Sequence, residues 1–195
     1  MIVFKNYIFE DDFFKKDGVI YNYKDVYGLE SHFKITTINF LPTYYGEIII
    51  CTTCGKFKLK NYNPFKQKKN FNLLEDINSI LHKNTYKYRL LRYLDHLQTN
   101  GFCEYDNAKI YLNGTIEKKG KIIDFVESFL QNKFEIGRES SWGLNSFYTP
   151  NEINIYDVKA GKILPVHIRL NCIYNKDIIM FVFKKIIEHK TGRTV

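Results

Sequence analysis

The sequence predicts an α+β protein in which a curved antiparallel sheet followed by a helix occurs twice. Three observations carry this expectation. Short aromatic and β-branched segments fill the chain to residue 60, the hydrophobic period becomes helical from Phe71, and the same succession starts again after Gly101. A chain of 195 residues accommodates one large domain or two small ones, so the division rests on pattern rather than on length.

Phe4 to Phe9, Gly18 to Tyr27, Phe33 to Phe40, Tyr45 to Thr52 and Phe57 to Leu59 read as strands, with turn residues at Asp17-Gly18, Pro42 and Gly55. Leu73, Leu74, Ile77, Ile80 and Leu81 then recur at helical spacing, and Leu90, Leu91, Leu94 and Leu97 follow after a polar step. One long helix or two consecutive ones over 71–100 result. Gly101 is the stop, because glycine accepts the left-handed conformation that closes many helices. Strands return at Phe102 to Tyr105, Lys109 to Leu112, Lys121 to Phe125, Phe134 to Ile136, Ile153 to Val158 and Ile163 to Cys172, with turns at Asn113-Gly114, Gly120, Gly143 and Gly161. Ile178, Ile179, Val182, Phe183, Ile186 and Ile187 define a closing helix over 177–190. The expected units are 1–101 and 102–195.

Landmarks recur between the halves. Asn22-Tyr23-Lys24-Asp25-Val26-Tyr27 is echoed by Lys121-Ile122-Ile123-Asp124-Phe125-Val126, and Phe33-Lys34-Ile35 by Phe134-Glu135-Ile136, at offsets of 99 and 101. Ile80-Leu81-His82-Lys83-Asn84-Thr85 is similar to Ile186-Ile187-Glu188-His189-Lys190-Thr191, with the histidines 107 apart. Such matches suggest two stacked copies of one unit.

The phrase Asp17-Gly18-Val19-Ile20-Tyr21-Asn22-Tyr23-Lys24-Asp25-Val26 has a tight turn, an apolar strand and an acidic residue before a short apolar one. Together with about seven short strands before one amphipathic helix, it resembles the bacterial pleckstrin-homology-like (PH-like) proteins. Thr37-Ile38-Asn39-Phe40-Leu41-Pro42, followed by Gly46-Glu47-Ile48-Ile49-Ile50, resembles their next hairpin. The resemblance implies two tandem PH-like units and a scaffold that binds proteins, peptides or lipid headgroups without catalysis. It implies no particular ligand, because such folds host many unrelated sites.

With 45% hydrophobic and 16% aromatic residues, the chain lies far from the compositions that stay disordered. Its longest apolar runs fall short of the roughly 20 residues a membrane span requires, and its first residues lack the features of a signal peptide. A cytoplasmic protein with reduced thiols at Cys51, Cys54, Cys103 and Cys172 is expected, with Asn113-Gly114-Thr115 serving as a turn rather than a glycosylation site.

Net charge is +8 and uneven. Residues 1–50 carry 5 Lys against 7 acids, whereas residues 51–100 carry 8 Lys and 2 Arg against 3 acids. Strand alternation puts Lys56, Lys58 and Lys60 on one face, opposite Phe57 and Leu59. Lys66, Lys68 and Lys69 lie beside Tyr62 and Phe65, and the following helix adds Lys83, Lys87, Arg89 and Arg92. A focused positive field attracts polyanions or acidic protein faces, and the same residues also serve as a solvated surface. Trp142, the only tryptophan, reads either as a partner anchor or as a plug beneath its polar loop.

Cys51-Thr52-Thr53-Cys54 has the spacing of half a zinc site, but no second Cys-x-x-Cys completes it. The alternative is a hairpin turn, which the strand-like text on both sides favours. Glu10-Asp11-Asp12 reads as a solvated turn, and His82 and His189 as residues near helix carboxyl ends, where a cation is favoured. The sequence carries no His-Glu-x-x-His, glycine-rich phosphate loop, nucleophile elbow or carboxylate cluster at metal spacing. The expected function is therefore a non-enzymatic adaptor without cofactor or metal, binding a protein partner or itself through Lys56, Lys58, Lys60, Lys66, Lys68, Lys69, Lys87, Arg92 and Trp142. Two alternatives use the same lysines: a basic nucleic-acid-binding protein from a phage or mobile element, and a peripheral binder of anionic lipid.

Overall fold

The computed structural model describes residues 1–38, 41–61, 67–142, 145–159, 166–171 and 174–194, with backbone alone at 36–38, 41, 67, 137–142 and 145–151. It is an α+β protein with antiparallel sheets and, among the described residues, three α-helices. Two compact units are present, Met1–Arg92 and Tyr93–Val195. They divide inside the long helix rather than at its end.

In the first unit, alternating apolar residues give β1 (Ile2–Phe4), β2 (Tyr7–Phe9), β3 (Phe13–Lys16) and β4 (Val19–Asn22), paired in that order. The stretch Phe4 to Phe9 is thus two strands and not one, because Lys5 turns the chain at φ 54°. Gly18 to Tyr27 is likewise divided, by a 3-10 turn at Tyr23–Asp25. A second sheet follows, of β5 (Val26–Ile38), β6 (Leu41–Thr52) and β7 (Gly55–Lys60), ordered β5-β6-β7. The strand expected at 33–40 is, over its described residues 33–38, the far part of β5, and the one expected at 45–52 is the part of β6 that lies mostly beside β7.

The helix expected from Phe71 begins earlier, as α1 (Gln67–Asn100), and runs unbroken to the Gly101 stop, where φ is 73°. Leu74, Ile77 and Leu81 on α1 join Phe9, Phe14, Val26, Leu29, Ile48, Ile50 and Leu59 in one core. Gly46 permits the close approach of β6 to α1, since a Cβ there would lie 3.0 Å from Leu74 Cδ1.

The second unit has the same order of elements. β8 (Phe102–Tyr105), β9 (Ala108–Tyr111), β10 (Thr115–Lys118) and β11 (Lys121–Asp124) form a four-stranded sheet. A short helix, α2 (Phe125–Leu130), takes the place of the 3-10 turn and is capped by Asp124, whose Oδ1 accepts from the Glu127 amide at 2.9 Å. Then come β12 (Phe134–Trp142), β13 (Asn145–Tyr156) and β14 (His167–Asn171), and finally α3 (Lys176–Thr191). β12 and β13 are much longer than the strands expected there, and β14 lies within the strand expected at Ile163 to Cys172. Residues 160–165, Cys172 and the turns expected at Gly143 and Gly161 lie outside the described residues. The core gathers Ile110, Ile116, Ile123, Phe125, Ile153, Ile155 and Leu170 with Ile179, Val182, Phe183, Ile186 and Ile187 of α3, and with Leu97 of α1.

The correspondence between the halves differs in register from the sequence matches. Val19–Asn22 and Lys121–Asp124 are equivalent strands, so Asn22 corresponds to Asp124 and not to Lys121. Leu29, opposite Ile50, corresponds to Phe134, opposite Ile155. His189 does lie in the last turn of its helix, but His82 stands in the middle of α1, away from any carboxyl end. Among the described residues, no helix is long and apolar enough to cross a membrane.

Asn113-Gly114-Thr115 is a turn, with Asn113 Oδ1 accepting from the Thr115 amide at 3.0 Å and Gly114 at φ 93°. A Cβ on Gly114 would stand 2.7 Å from Val126 Cγ2. Gly114→Ala is expected to cost roughly 1–3 kcal/mol through combined backbone strain and clash. Leu74→Ala, which empties a fully buried site, should cost about 2–5 kcal/mol. Urea denaturation of both variants measures these losses, and unchanged midpoints contradict the packing described.

Candidate functional site

The β5–β6–β7 sheet sorts its side chains by strand alternation. Leu29, Ile48, Ile50, Phe57 and Leu59 enter the core, so Glu30, His32, Glu47, Lys56, Lys58 and Lys60 share the opposite face. The shared face expected for the three lysines is present. Their isolation is not: cross-strand register places Glu47 between His32 and Lys60, and Ile49 between Glu30 and Lys58.

Glu47 Oε1 lies 2.7 Å from Lys58 Nζ and 2.9 Å from Lys60 Nζ. Neither ammonium has hydrogen-bond geometry on that oxygen, so the contacts are ionic. Tyr45 Oη donates to Glu47 Oε2 at 2.9 Å, and His32 Nε2 is bonded to Glu30 Oε1. Glu30 and Glu47 are both buried. The Lys60 ammonium beside it, more than its own desolvation, holds Lys58 below the usual lysine value. The shared carboxylate offsets part of the positive charge of the two ammonium groups, which weakens the field they present to a polyanion.

The remaining expected residues are scattered. Lys68 and Lys69 are exposed at the start of α1, and Lys87 is exposed further along it. Lys66, with Tyr62 and Phe65, lies outside the described residues. Arg92 is half-buried, with Nη2 donating to the Lys24 carbonyl at 3.4 Å. Arg89 belongs to no surface: it is fully buried, with Nε donating to Thr85 Oγ1 at 3.0 Å and Nη2 3.4 Å from His82 Nδ1. Trp142 is the last residue of β12, opposite Asn145 across the hairpin.

Sequence reasoning overlooked the shape of the long hairpins. Among the described residues, β7 pairs with β6 from Glu47 to Thr52, Asn61 adds bonds from its amide to the Gly46 carbonyl at 3.0 Å and from Nδ2 to the Tyr44 carbonyl at 3.2 Å, and 33–38 pair with 41–46 as a two-stranded ribbon. Among the described residues, β14 pairs with β13 from Glu152 to Tyr156, and residues 138–142 and 145–149 pair as a second ribbon that ends at Trp142. The first ribbon rests on α1 at its base, where Phe33 and Tyr44 each place their rings 5.5 Å from Phe71. Exposed Ile35 and Tyr45 lie along it.

A cleft of about 310 Å³ in the first unit is lined by Asp11, Asp12, Asn22, Tyr23, Lys24, Asn84 and Tyr88. Its walls are tied together by backbone acceptors: Tyr23 Oη donates to the Glu10 carbonyl, and Asn84 Nδ2 to that of Asp11, both at 2.8 Å. Asp11 and Asp12 are exposed, consistent with the solvated turn expected there.

Thr53 and Cys54 form the turn between β6 and β7, and Thr52 Oγ1 accepts from the Cys54 amide at 3.2 Å. The Cys-x-x-Cys string is a hairpin. Cys54 is exposed, while Cys51 and Cys103 are buried. Among the described residues, no three His, Cys, Asp or Glu side chains are grouped to hold a metal ion. Comparison with protein-family models, with curated proteins and with solved structures finds no match for this chain.

Burial pushes the Cys51 thiol up and raises Cys103 to about 12. In the folded protein at pH 8, a disulfide reagent should therefore label Cys54 rapidly and spare Cys51 and Cys103 until unfolding. Labelling at comparable rates, read by peptide mass spectrometry, contradicts this placement. Because folding raises Cys103 above its ordinary 9.0, its contribution to stability is complete below pH 9 and declines towards pH 12. The decline is at most about 1.4 kcal/mol per pH unit, and Cys103→Ala should flatten the alkaline limb of a stability profile.

Proposed function

We propose that this chain is a non-enzymatic interaction module, a tandem of two PH-like units, each a curved antiparallel sheet pair closed by its helix, that binds a protein partner through its β-ribbons. One observation carries the reading: in each unit the first two strands of the three-stranded sheet pair on as a ribbon beyond the last described pair of the third strand. A two-stranded ribbon is marginal in water by itself, and its free edges offer backbone donors and acceptors for strand addition. Exposed Ile35 and Tyr45 on the first ribbon, and the position of Trp142 at the end of the second, suit the apolar anchoring that dominates protein interfaces.

The charge pattern supports a protein partner over nucleic acid. Lys58 and Lys60 are engaged by Glu47, and an alternating network of Glu30, His32, Glu47, Lys58 and Lys60 fits the polar rim of a protein interface better than a phosphate track. Exposed Lys68, Lys69, Lys83 and Lys87 on α1 favour nonspecific nucleic-acid contact as the second reading. The cytoplasm is the compartment that fits either.

Affinity capture from the native host with wild-type, Ile35→Asp and Trp142→Ala proteins tests the reading. A specific protein retained by the wild type and lost from either ribbon variant is the expected result, whereas retention indifferent to both variants contradicts it. Labelled DNA and RNA at two salt concentrations give the second arm. Wild-type binding should be weak, and Glu47→Gln, which frees two lysines, should strengthen it several-fold at low salt while costing roughly 1–2 kcal/mol of stability. Tight, salt-sensitive wild-type binding overturns the protein-partner reading.

A further inference from the structure

We propose that the outer face of the β1–β4 sheet is a self-association surface that meets the outer face of the β8–β11 sheet on a second copy of this chain, with Lys15 of one copy opposite Glu117 of the other.

Strand register defines the first face. Val3 pairs with Ile8, Ile8 with Lys15 and Lys15 with Ile20, so these four side chains form one row across the sheet. The neighbouring row, Phe9, Phe14 and Tyr21, points into the core, which fixes Val3, Ile8, Lys15 and Ile20 on the outside. Val3 and Ile20 are 52% and 54% exposed. Three of the four positions are thus β-branched apolar residues on a side of the sheet turned away from its core.

The second unit supplies an internal comparison. Its equivalent row is Glu104, Lys109, Glu117 and Ile122. Two positions that are apolar in the first unit are therefore charged in the second. Lys109 lies over the Phe102 ring at 4.9 Å, and Tyr111 Oη donates to Glu117 Oε2 at 2.8 Å, so this face is ordered by its own contacts. At two of the four positions the rows are directly complementary, Lys15 against Glu117 and Ile20 against Ile122, which is 65% exposed; Ile8 meets the aliphatic stem of Lys109, and Val3, at the edge of the row, meets Glu104. The Lys15 ammonium lies 5.3 Å from the centre of the Phe13 ring, and among the described residues no carboxylate pairs with it, so a carboxylate of another copy would add to that contact.

Four strands about 4.8 Å apart, each three or four residues long, cover roughly 200 Å² in projection, well below the roughly 800 Å² per partner of a stable complex. The association is therefore weak and visible only at high concentration. It goes beyond the ribbon-mediated binding proposed above and does not use the ribbons.

Sedimentation equilibrium of the full chain from about 10 to 500 µM at low salt tests the inference, with circular dichroism confirming that each variant is folded. The average mass should rise with concentration. Lys15→Glu and Glu117→Lys should each reduce the association constant about tenfold or more. Mixing the two variants, or combining both changes in one chain, should restore it. Ile20→Asp should abolish it, and Trp142→Ala should leave it unchanged. A constant monomer mass, association insensitive to Lys15→Glu, or failure of the charge exchange to restore it overturns the inference.

Discussion

The register of β6 is the constraint on which the first unit depends. Side chains alternate along a strand with a period of two, so the pairing that sends Ile48 and Ile50 into the core also sends Glu47 to the other face. There it meets two lysines of β7, Lys60 directly opposite and Lys58 diagonally. A slip of one residue would bury a carboxylate among Leu29, Leu59 and Phe14 and expel two isoleucines, an exchange unfavourable on both counts. The core and the charge network are two outcomes of one pairing, and neither can be altered alone.

Local chemistry was readable from the amino acids. The change from strand to helix period, the glycine stop after Asn100, the Thr53-Cys54 hairpin and the shared face of Lys56, Lys58 and Lys60 follow from near neighbours in the chain. What escaped detection depends on distant partners. Glu47 faces Lys60 only because two strands fold back on each other, and burial of Arg89 depends on what surrounds the middle of α1. The division of Phe4 to Phe9 into two strands was hidden for another reason: the turn uses Lys5 at positive φ, where glycine or asparagine is the usual signal. The ribbons were missed because hairpin text has the same appearance whether or not a third strand covers it.

The two halves repeat their element order while differing in detail, and the differences are informative. A 3-10 turn in one is a capped helix in the other, and the outer sheet rows are apolar in one and charged in the other. Core positions keep their character, as Leu29 with Ile50 and Phe134 with Ile155 illustrate. Apolar alternation around a single Asp fits several alignments of the halves equally well, so sequence similarity alone does not set the register in which Asn22 corresponds to Asp124. Cross-strand partners resolve that degeneracy, since each residue is then identified by what it faces.

The path of α1 carries a consequence for how this protein can be divided. Its early turns lend Leu74, Ile77 and Leu81 to one hydrophobic cluster, and its final turns lend Tyr93, Leu94 and Leu97 to the other. A cut after the helix, at Gly101, would strip the second half of Tyr93, Leu94 and Leu97, whereas one between Leu81 and Tyr93 leaves each cluster its own side chains. Gene fusions or truncations that separate the halves must therefore break the rod rather than spare it.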